Sequence, residues 1–421
     1  LLRCSSRDQC RVVAQGFWTM RARRAERAAT GVEVGIQLVL ALALVVASVG
    51  CSSCGGDHGR ELPVETAAVR AAAHELRARC TAGIVPPAEG YARIVEVPPL
   101  AGGEGLVFMH DINDEGVAVG SAQVDGKYHG FRWTERGGFT DLSTQAGFGT
   151  QSYTSAIAPD GAISGQSDHG DGTGTLYGYR WTASGGRTEV CPAGCSVWDV
   201  NAAGQVVGLL PGRDTTTWQA FVWSAHHGIQ ALGTLGGARS SASGISEAGL
   251  VVGNAQLASS APDDVGHAFL YDSRAPHPAL EDLNGRCHTP GWVLRAANDV
   301  NDKFVVGYGL HDGQSHAFRL TLATGQVDDL GTLGNGSSVG WAVDAAGDVV
   351  GWAAVDAHTN VAFVWGPSLG KMIPLGDLVD PADGWKLQQA NGINGRGAIV
   401  GMATHRGVPV GFQLTLPLCG E

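Results

Sequence analysis

The segment GINGRGAIVG, Gly392 to Gly401, reads as a tight hairpin. Asn394 follows an apolar residue, Gly397 stands four places before the final glycine, and the last four residues form a short small-apolar strand. Asn and Gly tolerate the left-handed backbone that such a turn demands. The pattern occurs six more times, as DINDEGVAVG (Asp111 to Gly120), AIAPDGAISG (Ala156 to Gly165), DVNAAGQVVG (Asp199 to Gly208), GISEAGLVVG (Gly244 to Gly253), DVNDKFVVG (Asp299 to Gly307) and AVDAAGDVVG (Ala342 to Gly351). The final glycines are 45, 43, 45, 54, 44 and 50 residues apart, a spacing at which blade-like β-units repeat. The fifth copy lacks one residue and the turn glycine, with Lys303 in its place, so its turn type should differ.

After each hairpin comes a strand of alternating aromatics, such as His129-Gly-Phe-Arg-Trp133, His267-Ala-Phe-Leu-Tyr271, His316-Ala-Phe-Arg-Leu320 and Val410-Gly-Phe-Gln-Leu414. Alternation puts the aromatics on one face, as a half-buried strand requires. A fourth strand ends in Asp141-Leu142, Asp282-Leu283 or Asp329-Leu-Gly-Thr-Leu-Gly334. Four strands repeated seven times predict an all-β, seven-bladed β-propeller over residues 91–418. The seventh unit has no fourth strand after Leu416, and Arg93 to Val97 should supply it, closing the ring and removing exposed edges. Cys80 and Cys419 flank that seam and could staple it.

The His-Ala-Phe strand, the Asp-Leu-Gly-Thr-Leu-Gly tract and the Ile-Asn-x-x-Gly-x-x-Val-Gly hairpin resemble the HAF repeat family of extracellular repeat proteins, across about 330 residues. The resemblance implies export and a repeat fold. It brings no chemistry with it.

Upstream, Met20 opens a basic stretch (Arg21, Arg23, Arg24, Arg27) followed by an apolar run from Leu38 to Val49, and translation is expected to begin at Met20. That run suits a signal-peptide core and is shorter than the roughly 20 residues of a membrane span. Ser48 and Gly50 suit an ordinary signal peptidase, whereas Val49-Gly-Cys51 resembles the end of a lipoprotein box, with Ser48 where leucine is usual. Cys51 is therefore the lipidation candidate. The expected localisation is an exported lipoprotein facing the cell surface or periplasm, or a secreted protein, with any membrane attachment through the N-terminal lipid alone. Residues 51–90 read as a tether, with a short helix over the Ala-rich 63–79.

Beyond residue 50 the chain carries 21 basic and 37 acidic residues, net −16. Such a surface repels phosphate backbones and argues against nucleic-acid partners. Six cysteines follow Cys51, and an even number in an exported chain suits disulfides. Cys191 and Cys195 are close enough to pair with each other. A zinc site is the alternative for that spacing, although no second Cys or His pair stands at finger spacing nearby.

In a four-stranded meander the first-to-second turns lie on one rim and the second-to-third and fourth-to-first connections on the other. The first-to-second turns are nearly constant in length, and the insertions Ser167 to Thr175, Ala255 to Gly266, Asn284 to Arg295 and Val379 to Gln389 fall on the opposite rim. Loops on a rigid scaffold are where binding is commonly grafted. Two of them match, Gly291-Trp-Val-Leu-Arg-Ala-Ala-Asn298 and Gly384-Trp-Lys-Leu-Gln-Gln-Ala-Asn391. Trp292 and Trp385 are thus either stacking platforms for a glycan or protein partner, or packing residues between blades.

Asp168 and Asp171 offer oxygen ligands of the kind calcium takes, in a loop that also reads as a plain Gly-rich turn. No other cofactor is expected. Asp111, Asp199 and Asp299 could ring a channel and hold a cation, or cap their own turns. His226 and His227 fall in a third-to-fourth turn and are expected to be solvated.

The chain lacks a His-Glu-x-x-His helix and a phosphate-binding Gly-Lys-Ser/Thr loop, and no catalytic residue is assigned. The sequence points to a noncatalytic binding or scaffolding module for a glycan or surface protein. The alternative is an extracellular hydrolase or lyase acting on a polymer.

Overall fold

The computed structural model describes residues 82–87, 90–100, 103–212, 217–259, 264–334 and 336–419. The proposed signal peptide, Cys51, the 63–79 helix and Cys80 lie outside them. Strand β1 (Arg93–Val97) precedes a meander of β2 (Gly103–Ile112), β3 (Ala118–Val124), β4 (Lys127–Thr134) and β5 (Gly138–Asp141). The next is β6 (Ser152–Ile157), β7 (Ile163–Ser167), β8 (Tyr177–Thr182) and β9 (Gly186–Cys191). Then come β10 (Ser196–Val200), β11 (Val206–Pro211), β12 (Trp218–Ser224) and β13 (Gly228–Gly233). They are followed by β14 (Gly236–Ile245), β15 (Leu250–Leu257), β16 (His267–Asp272) and β17 (Glu281–Asp282). One parallel pair, Trp218 with Arg239, joins these last two meanders into an eight-stranded sheet.

A one-turn helix α1 (Leu283–Arg286) leads into β18 (Trp292–Val300), β19 (Phe304–His311), β20 (Gln314–Thr321) and β21 (Gln326–Gly331). β22 (Ser338–Val343), β23 (Val349–Ala354), β24 (Asn360–Trp365) and β25 (Ile373–Pro374) form the sheet after it. The final sheet is β26 (Trp385–Ile393), β27 (Ala398–His405) and β28 (Val408–Thr415), with β1 as its fourth strand, Arg93 opposite Thr415 and Val97 opposite Gly411. The seam expected from the sequence is therefore present.

The first strands touch in chain order, β2 to β6, β10, β14, β18, β22 and β26, and β26 returns to β2. Four-stranded antiparallel sheets radiating from a closed ring of inner strands are the arrangement of a β-propeller.

Each repeat folds this way for reasons visible in its residues. In the first hairpin Asn113 Oδ1 accepts the N–H groups of Glu115 and Val117, and Gly116 takes φ 76°, a conformation costly for a residue with a Cβ. The fifth turn closes one residue sooner, Asn301 N–H to Phe304 O, where the first closes Asn113 to Val117. The difference expected from the missing glycine is thus one of loop length.

The final glycine of each hairpin faces a register shift in the first strand, as between Met109 and Asp111 opposite Gly120. The bulge presses a first-strand carbonyl onto the glycine, so a Cβ on Gly120 would overlap Phe108 O, and one on Gly307 would overlap Ala296 O. The third-strand ring opposite that glycine fills the space between neighbouring sheets: Phe131, Tyr179, Phe221, Phe269, Phe318, Phe363 and Phe412 are all fully buried. Each such side chain contributes about 2–3 kcal/mol of burial.

Polar side chains rivet adjacent sheets. Asn201 Nδ2 donates to Ser246 O at 3.0 Å and Asn301 Nδ2 to Asp344 O at 2.7 Å. Bulged residues do the same nearer the axis, Ser155 to Val197 O at 2.7 Å and Asn298 to Gly340 O at 2.8 Å. Residues assigned to the tether also join the body. Ile84 and Val85 are fully buried, bridging Leu418 and Pro417, and Ile84 N–H donates to Asp348 at 2.7 Å. The folded body therefore begins at least seven residues before the repeat boundary at residue 91.

Candidate functional site

The longer connections, 168–176, 258–266, 283–291 and 375–384, join second to third or fourth to first strands and so share one rim. The expected loops extend too far. Trp292 to Arg295 and Trp385 to Gln389 belong to strands β18 and β26, because register shifts between Leu294 and Ala296, and between Leu387 and Gln389, interrupt the alternation that marks a strand.

Both tryptophans open their strands on this rim, with the β22–β25 sheet between them. Trp292 stands opposite His311 and Trp385 opposite His405. The rings stack nearly parallel, at 4.7 Å and 4° for Trp292–His311 and 4.2 Å and 2° for Trp385–His405. Trp292 is 9% exposed and also meets Phe318 edge-on, so one indole face is already covered by imidazole. Trp385 is half-buried.

Each stacked imidazole leads to a carboxylate. His311 Nδ1 donates to Asp329 at 2.8 Å, and His316 Nδ1 to the same carboxylate at 2.9 Å. His405 Nδ1 lies 2.5 Å from Glu96 and its Nε2 3.0 Å from Asp383 O. Simpler pairs recur on the same rim, His129 with Asp141 and His267 with Asp282, both at 2.8 Å. Sequence reading placed His316 and Asp329 within the repeat but did not join them to His311, and it missed His405 and Glu96. Counting hairpin register from the turn would have set each Trp opposite its His.

Asp168 and Asp171, the candidate calcium ligands, each have partners of their own. Asp168 is buried, with its carboxylate accepting Thr150 N–H (2.6 Å), Thr150 Oγ1 (2.9 Å) and Gln151 N–H (3.1 Å). Asp171 is exposed and caps Thr173, whose N–H and hydroxyl hold its carboxyl below the usual range. The two acids anchor different backbone segments, and no shared group of ligands forms around them among the described residues.

Asp111, Asp199 and Asp299 do cap their own strands, accepting the N–H of Ile112, Val200 and Val300 at 2.7–2.8 Å. The second oxygen of each reaches the neighbouring sheet, to Ile157, Ile245 and Val343 N–H. Burial pushes all three carboxyls up, Asp299 to about 6, and Asp199 rises further beside the charges of Asp299 and Asp111. Next to this row, burial pushes the His110 imidazole down to about 4.

Cys191 and Cys195 are joined as a disulfide with Cα atoms 6.2 Å apart. Cys419 is also disulfide-bonded, and Cys287 is free. His226 and His227 are exposed in the β12–β13 turn.

No protein family matches the chain, and no curated protein matches it. The chain is similar to several solved structures. One, an oligogalacturonate lyase in complex with manganese, is 14% identical, with 80% of this chain and 96% of that chain covered, at a TM-score of 0.49. Another, the β-propeller domain of the Trilobed protease from Pyrococcus furiosus, is 10% identical, with 74% and 94% covered and a TM-score of 0.49. The gluconolactonase XC5397 from Xanthomonas campestris is 11% identical, with 80% and 95% covered and a TM-score of 0.37.

Proposed function

We propose that this chain is a seven-bladed β-propeller of the HAF repeat type, exported and tethered through a lipid on Cys51. In this reading it acts as a noncatalytic binding or scaffolding module for a glycan or a surface protein. The observation that carries the reading is the gathering of the longer connections and both stacked pairs, Trp292–His311 and Trp385–His405, on one rim. Trp385, half-buried and held rigid by its stack, presents apolar area with a polar edge, the combination used to grip sugars and protein loops, while the buried Trp292 orders the rim beneath its own stack. On the opposite rim the first-to-second turns are short and riveted sheet to sheet, which suits scaffolding.

A glycan and surface-protein array probed with the full chain tests the proposal. Binding that falls at least tenfold in the Trp292→Ala/Trp385→Ala double variant supports the long-loop rim as the contact surface. Binding that survives both substitutions removes the tryptophans from the proposal, and an array with no signal removes the binding role.

The second reading is a hydrolase or lyase acting on an extracellular polymer. It is favoured by His311, His316 and Asp329 meeting on the same rim, a carboxylate and imidazoles within reach of one atom. Release of soluble fragments from acidic polysaccharides, abolished by Asp329→Asn, would establish it over the first.

A further inference from the structure

We propose that His311, His316 and Asp329 form a binding site for a divalent transition-metal cation, with zinc as the expected occupant. One ligand atom from each residue lies within 4.8 Å of the others. The two imidazoles come from adjacent strands β19 and β20 and converge on a carboxylate of β21. Two imidazole nitrogens with one carboxylate suit zinc and its neighbours, whereas calcium and magnesium take oxygen ligands. Three protein ligands leave a fourth position of a tetrahedral ion open. Side-chain exposures of 28%, 15% and 31% let an ion enter from solvent.

The surroundings hold these ligands in place. Trp292 fixes the plane of His311 by stacking, and Gly331 N–H donates to Asp329 Oδ1 at 2.9 Å. Outer contacts of this kind orient the ligands of metal sites.

Comparison between sheets separates the triad from the ordinary repeat. His129–Asp141 and His267–Asp282 reproduce the His316–Asp329 pair, but the positions equivalent to His311 are Val124 and Leu257. In the last sheet His405 and Glu96 are present, and Val410 takes the place of His316. The repeat thus supplies a pair, and the β18–β21 sheet adds the third ligand, the one such group of three among the described residues. The cation site does not depend on a glycan or protein occupying the same rim.

Calorimetric titration of the metal-stripped full chain with zinc chloride tests the site. The expected result is one equivalent of zinc, bound at least ~10-fold more weakly by His311→Gln and by His316→Gln, since even outer-contact losses cost that much. His226→Gln, in the exposed β12–β13 turn, should bind zinc like the wild type. Zinc should also raise the melting temperature of the wild type and not that of His311→Gln. Absence of zinc-dependent heat in the wild type, which needs no variant to fold, overturns the proposal. So does His311→Gln or His316→Gln binding zinc as tightly as the wild type.

Discussion

Asn394, in the last hairpin, donates from Nδ2 to the main-chain carbonyl of Asn113, in the first, at 2.8 Å, across 281 residues of sequence. Its Oδ1 meanwhile accepts Arg396 and Ala398 N–H within its own turn. One buried amide therefore shapes a turn and locks the two ends of the ring. Asn394→Ala would leave those N–H groups and the Asn113 carbonyl without these partners, at a cost of about 2–4 kcal/mol. Urea denaturation should show the midpoint falling, and a shift within error would mean that this amide adds nothing to ring closure.

The final hairpin glycines are sterically required. Gly307→Ala would drive a methyl into Ala296 O and should destabilise by about 1–3 kcal/mol or more. Gly285, in the one-turn helix α1, has open space around its Cα, so Gly285→Ala should stay within about 0.5 kcal/mol. Thermal melts of the two variants side by side check the contrast.

Asp348 has a raised carboxyl, at about 7, because it is buried and stands beside Asp344. One oxygen holds Ile84 N–H and the other has no hydrogen-bond partner among the described residues. The folded state therefore binds this proton more tightly than the unfolded chain does. Its contribution to stability is full below about pH 4 and is lost as pH rises towards 7, by roughly 4 kcal/mol at most. Asp348→Asn cannot ionise, so its melting temperature should gain on the wild type between pH 5 and pH 8. A constant difference across that range would refute the assignment.

The Cys191–Cys195 disulfide closes a short loop beside the buried Val190 and Val197. By chain entropy such a loop is worth about 2 kcal/mol. The Cys191→Ala/Cys195→Ala variant should lose about that much in guanidinium denaturation while keeping its far-ultraviolet spectrum, because Cys191 joins the β8–β9 ladder through its backbone, which alanine retains.

Much of the architecture was legible because a repeat states its own register. Asn394, Gly397 and Gly401 mark turn and strand in every copy that carries their equivalents, and the absent fourth strand after Leu416 pointed back to Arg93–Val97. The burial of Ile84 and Val85 was not legible, since Leu418 lies beyond the last repeat strand and the pairing of Asp348 with Ile84 follows from no repeat register. Nor were the ends of the long loops, where bulges hide strand residues.

The sequence by itself determined which residues turn, which alternate and which glycines recur, because those depend on backbone sterics and on neighbours two to five positions away. Tertiary structure alone decided that Trp292 lies on His311, that His311 and His316 share Asp329, and that Asp168 spends its oxygens on Thr150 and Gln151. These contacts join strands 10 to 20 residues apart, and their chemistry appears only when the ladder register brings the side chains side by side.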